Sequence, residues 1–114
     1  GYTCATVFAV GINDSAHEKS DELDGQRVPL AQSLDLIGGM LATAKAFGPV
    51  LSIGPTPVIE ARWPLDRLPG VIYDLRNDDI AAYSAAYATM TAGLDIPNLD
   101  VITPLSVDPP CDAA

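Results

Sequence analysis

Residues 6–17, TVFAVGINDSAH, decide how the rest of the chain is read. The run ATVFAV over 5–10 is short, continuous and rich in β-favouring side chains, which is the pattern of a strand covered on both faces, as in a parallel sheet. Gly11 stops it. Asn13 and Asp14 follow at once, and the chain's one histidine, His17, stands three positions further on. Open parallel sheets carry their ligand groups at the C-terminal ends of their strands. Asn13 and Asp14 are therefore the first residues to consider as a site, against the simpler reading of a polar turn after a strand.

Outward from this point, residues 13–27 are polar and turn-prone and are expected to form a surface loop. From Val28 the period changes: Leu30, Leu34, Ile37 and Leu41 recur at the three- and four-residue spacing of one helical face. Pro29 suits a first turn, and Phe47-Gly48-Pro49 supplies a stop. A second apolar run, VLSIG at 50–54, is expected to be a strand, and the proline-rich segment PTPVIEARWPLDRLPG at 55–70 an irregular loop. A second amphipathic helix begins near Asn77, where Asp78 and Asp79 suit the positive end of the helix dipole. Its apolar stripe is Ile80, Tyr83, Tyr87 and Met90, and Gly93 ends it. LDVITPL at 99–105 is expected to be a third strand, and 106–114 a loop.

Strands alternating with helices of this length imply right-handed βαβ crossovers and a parallel sheet in an α/β domain. GIND, GPTP and PLSVDPP would then lie along one edge of it. The composition fits a single globular unit over 1–114: 48% of residues are apolar and 18% charged. Fifteen acids against six bases give a net charge of −9 with no basic cluster, which argues against nucleic acid and anionic membrane as partners. Pro, Gly or a charge interrupts every apolar run before it could span a bilayer. The N-terminal residues lack the basic start of a signal peptide, so a soluble and cytoplasmic protein is expected. Cys4 and Cys111 have no metal-ligand spacing and are expected to be a buried thiol and a tail thiol.

The run VFAVGINDSA resembles the third conserved block of the SGNH, or GDSL-type, hydrolases, an apolar strand followed by Gly-x-Asn-Asp. VLSIGPTPV resembles the next strand of that family, which commonly ends in Gly-Pro-x-Pro, and LDVITPLS the strand before its final catalytic loop. The three occur in the family's order across nearly the whole chain. The resemblance implies a three-layer α/β/α, flavodoxin-like parallel sheet and hydrolysis of an acyl ester. It makes Asn13 the side-chain donor to the oxyanion, with Gly11 allowing the sharp backbone turn beside it. Such a fixed neutral amide contributes roughly 3 to 4 kcal/mol to the transition state. Asp14 would anchor the loop next to bound substrate, and no metal or organic cofactor is implied.

Three family features have no counterpart here. The nucleophilic serine of the Gly-Asp-Ser block and the glycine that supplies a second oxyanion donor both precede the Gly-x-Asn-Asp strand. The Asp-x-x-His loop follows the last strand, where this sequence has Asp112 without a histidine after it. The chain is thus expected to be the C-terminal, three-strand part of such a hydrolase and inactive alone. His17 lies near Ser15 and Ser20, but proximity in a polar loop does not create a base held against its nucleophile. It reads as a solvated histidine. Ser52 reads as a strand residue, and Cys4 lies away from the expected active edge. Tyr83 and Tyr87 read as core, whereas Trp63, in the loop after GPTP, is a candidate lining residue for the substrate. The second class of reading is a non-catalytic binding module of flavodoxin-like architecture. Uncovered sheet edges would favour pairing with a second copy.

Overall fold

The computed structural model describes residues 4–105, so the expected tail loop, with Cys111 and Asp112, lies outside the described residues. In chain order the elements are β1 (Thr6–Ala9), α1 (Ile12–Ser15), β2 (His17–Lys19), β3 (Asp24–Gln26), α2 (Leu30–Lys45), β4 (Val50–Ile53), β5 (Leu65–Leu68), β6 (Val71–Asp74), α3 (Asn77–Gly93), β7 (Asn98–Leu99) and α4 (Ile102–Leu105), with a 3-10 turn at Glu60–Arg62.

The alternating pattern produces a mixed α/β architecture built on a parallel sheet in the order β1-β4-β7. Thr6 lies opposite Val50 and Ala9 opposite Ile53, while Ser52 lies opposite Asn98. Both crossovers step in the same direction, which carries α2 and α3 to the same face. The inward-facing Phe8 and Val50 meet Ile37 and Leu41 of α2 and Tyr83 and Tyr87 of α3 in one apolar cluster. Leu41 is fully buried, a position worth roughly 1.5–3 kcal/mol of transfer free energy. The opposite face carries Val7, Leu51 and Leu99, which are 59%, 37% and 51% exposed, so the described residues form two layers of the expected three.

Each long helix matches its stripe. In α2, Ile37 and Leu41 are buried, with Leu30 and Leu34 packed against the same cluster. In α3, Tyr83 and Tyr87 join that cluster, whereas Ile80 belongs to a second one with Ala16 and Leu75. The start of α3 has no capping side chain of its own. Glu60 supplies one from the preceding segment, its Oε1 accepting the Asn77 N–H at 2.6 Å. The Asn77 side chain in turn spans Val58, accepting its N–H at 2.8 Å and donating to its C=O at 3.0 Å.

Four expectations are corrected. Residues 13–27 are not a plain loop: after α1 they form the antiparallel hairpin β2–β3, with His17 opposite Gln26 and Lys19 opposite Asp24. The segment 55–70 is not irregular throughout, because β5 pairs with β6 across Pro69-Gly70, where Gly70 takes φ 79°. That left-handed conformation is the one a glycine adopts without strain after a turn-forming proline. β2 also pairs with β6, and a four-stranded antiparallel sheet in the order β3-β2-β6-β5 stands beside the parallel one. Finally, the expected strand at 99–105 stops at Leu99. The Asp100 carboxylate accepts the Ile102 N–H and the Thr103 hydroxyl, both at 2.9 Å, and so starts α4 instead. Cys4, expected to be buried, is exposed at the entry to β1.

No helix among the described residues is long and apolar enough to cross a membrane.

Candidate functional site

The parallel pairing of β1 and β4 brings the segments after both strands side by side. Ala9, Val10 and Ile12 from the first, and Ile53, Gly54, Pro55 and Thr56 from the second, line a hollow of about 140 Å³. This is the juxtaposition of GIND and GPTP expected for one edge of the sheet. Gly11 turns the chain here with φ 111°, a conformation that costs other residues about 1–2 kcal/mol. The turn leads directly into the single helical turn α1, which holds Asn13.

Asn13 is exposed. Its backbone carbonyl accepts the Ala16 N–H at 3.2 Å, whereas its side-chain amide makes no hydrogen bond among the described residues. The residues around it are held tightly. Ser15 donates to the Ile12 carbonyl at 2.7 Å, and the Val28 N–H reaches the Asp14 carbonyl at 3.3 Å. The Asp14 carboxylate accepts the Ser33 hydroxyl at 2.6 Å, and Ser33 Oγ also lies 2.6 Å from the Tyr87 hydroxyl. Asp14 therefore anchors the turn through a side chain of α2.

Ser33 is fully buried and Tyr87 is 3% exposed. Burial pushes the Tyr87 phenol up to about 12, and the charge of Asp14 and the neighbouring Tyr83 add to the rise. The Tyr83 and Tyr87 rings meet edge to face, with centroids 6.2 Å apart, and the Tyr83 hydroxyl donates to the Val28 carbonyl at 2.9 Å. Both tyrosines are core residues, as their helical spacing implied.

The other candidates fall elsewhere. Trp63 packs with Ile12 and Val58 on the cluster of Ala16, Leu75 and Ile80, and it is not among the residues lining the hollow. Ile12 touches both regions, so Trp63 is a neighbour of the site at one remove. His17 sits on β2, with Nε2 2.6 Å from Asp24 Oδ1, and is a paired surface histidine, not a free loop residue. Neither nearby serine serves it: Ser15 is bonded to Ile12, and Ser20 Oγ accepts the N–H groups of Glu22 and Leu23. Ser52 is a buried residue of β4. No cluster of three or more metal-ligating side chains occurs among the described residues.

Ser33 is the residue that sequence reasoning passed over. Its signal was present, since position 33 falls on the stripe of Leu30, Leu34, Ile37 and Leu41. A hydroxyl on an apolar helical face needs a partner when buried. What could not be read was the identity of that partner, which comes from two other segments, 19 and 54 residues away.

Comparison with protein-family models finds none that matches the chain, and comparison with curated proteins finds no match.

Proposed function

We propose that the chain forms the oxyanion-binding part of an acyl-ester hydrolase of SGNH type, within a three-layer, flavodoxin-like α/β/α domain. The nucleophilic serine and the histidine base come from residues outside those described. The observation that carries this reading is the position of Asn13. Its side-chain amide, unengaged among the described residues, stands on a fixed turn after the C-terminal end of the parallel strand β1, next in sequence to Ile12, which lines an apolar hollow formed by the ends of two strands.

In the proposed reaction a serine oxygen attacks the carbonyl carbon of a small acyl ester as the base removes its proton. Negative charge then collects on the carbonyl oxygen. The Asn13 amide donates to that oxygen, and Gly11, at φ 111°, allows the sharp turn that carries it. Collapse of the intermediate expels the alcohol, which takes the proton back from the base, and water later releases the acyl group by the same route.

The test uses the full-length gene product and p-nitrophenyl acetate. Asn13→Ala lowers kcat by about a hundred- to a thousandfold with little change in KM, the loss typical of a removed oxyanion donor. Turnover that survives Asn13→Ala unchanged overturns the oxyanion role and favours the ligand-binding module instead.

A further inference from the structure

Resting on the hydrolase reading above, we infer that Tyr87 and Ser33 are positioning residues for Asn13, acting as a clamp that grips the turn on both sides of it. Two contacts from a single tyrosine carry the inference. On one side, the Tyr87 ring lies so close to Gly11 that an added Cβ would come within 2.3 Å of its Cε2. On the other, the Tyr87 hydroxyl reaches Asp14 through Ser33 in two steps of 2.6 Å each. Positions 11 and 14 flank Asn13, so α3 and α2 hold the turn at both ends while Asn13 itself remains unengaged.

Proton counting gives the chain a direction. A serine hydroxyl carries one proton, and a carboxylate can only accept. Ser33 therefore donates to Asp14, and Tyr87 must donate to Ser33. Each bond in such a sequence polarises the next. The 2.6 Å bond from the buried Ser33 hydroxyl also fixes where the Asp14 carboxylate lies relative to Asn13.

The clamp is tested in the full-length gene product by combining variants. Tyr87→Phe keeps the ring against Gly11 and removes the hydroxyl. Ser33→Ala breaks the same link without touching the ring, and it serves in place of Tyr87→Phe should that protein not fold. Each lowers kcat for p-nitrophenyl acetate about ten- to a hundredfold with KM nearly unchanged, the loss expected when a reacting group is displaced by up to about 1 Å. In an Asn13→Ala background neither substitution lowers kcat further, because the residue they position is gone. Undiminished kcat in both folded single variants overturns the clamp. So do losses that multiply in the double variants, since these belong to a general structural role. An Asn13→Ala enzyme with full activity is a different result and overturns the hydrolase reading itself.

Discussion

The ring of Tyr87 occupies the space where a side chain on Gly11 would begin: a Cβ placed there would stand 2.3 Å from Cε2 and 2.8 Å from the hydroxyl oxygen. Gly11 also takes φ 111°. Gly11→Ala therefore meets a backbone penalty and a steric one together, and the ring cannot retreat without leaving Ser33. The substitution is expected to destabilise the fold by more than about 2 kcal/mol. Gly39, inside α2, has no atom within 4 Å of an added Cβ. Gly39→Ala is expected to stabilise by about 0.5–1 kcal/mol through helix propensity. Urea midpoints of the two variants should move in opposite directions.

Asn13 and Asp14 are neighbours with opposite structural duties. The exposed Asn13 side chain holds nothing among the described residues, so Asn13→Ala should leave stability within about 0.5 kcal/mol of the parent. Asp14→Ala strands the buried Ser33 hydroxyl, at an expected cost of about 1.5–3 kcal/mol for a hydrogen bond to a charged group. Asp14→Asn retains an acceptor oxygen and should lose less than Asp14→Ala. Denaturant titrations of the three proteins check this order.

The parts of the fold that were legible in the sequence are those whose stabilisation is local or periodic. Leu30, Leu34, Ile37 and Leu41 announce α2 because burial repeats with the helical turn, and the Gly11 stop after an apolar run announces the end of β1. The β2–β3 hairpin was not legible. HEK and DGQ are polar segments, and what holds them is the ladder to each other and that of β2 to β6, 53 to 57 residues further along. The β5–β6 hairpin did leave a mark, since Pro69-Gly70 separates LDRL from VIYD, but the prolines upstream of it outweighed that signal. VITPL misled for a third reason: its β-branched residues suit a strand, yet the Asp100 carboxylate offered the backbone a helical turn instead. At the site, the turn and its exposed amide followed from Gly11-Ile12-Asn13-Asp14. Ser33 and Tyr87 required knowledge of which helices pack against it.

Tyr87 predicts a specific pH dependence. Its phenol is raised from the ordinary 10.0 to about 12, with burial the leading cause. The folded state therefore keeps the proton that the unfolded chain releases near pH 10. The associated stability is fully present below about pH 10 and is lost as pH rises through about 12. Tyr83 is shifted in the same direction, by burial first and then by the charges of Asp14 and Asp79. Tyr87→Phe should flatten this alkaline decline, leaving the smaller share due to Tyr83. Urea midpoints of parent and variant, compared between about pH 10 and 12, give the readout, and parallel declines would remove Tyr87 as the source.

Asn77 is expected to behave as a two-way connector. Its side chain accepts the Val58 N–H at 2.8 Å and donates to the Val58 C=O at 3.0 Å, so both polar groups of one residue in the proline-rich segment depend on it. Its own N–H is taken by Glu60, which ties the same segment to the start of α3 a second time. Asn77→Ala removes both side-chain bonds and should destabilise by about 1–3 kcal/mol, at about 0.5–1.5 kcal/mol per bond. Asn77→Asp preserves the acceptor for the Val58 N–H but sets a carboxylate oxygen against the Val58 carbonyl, with Glu60 already nearby. The gain expected from a negative charge at a helix N-terminus is thereby opposed, and Asn77→Asp should also lose stability. Equal stability of Asn77→Asp and the parent would show that the dipole offsets the lost donor in full. Lower stability at neutral pH that recovers when the new carboxyl is protonated would confirm that repulsion is the cause.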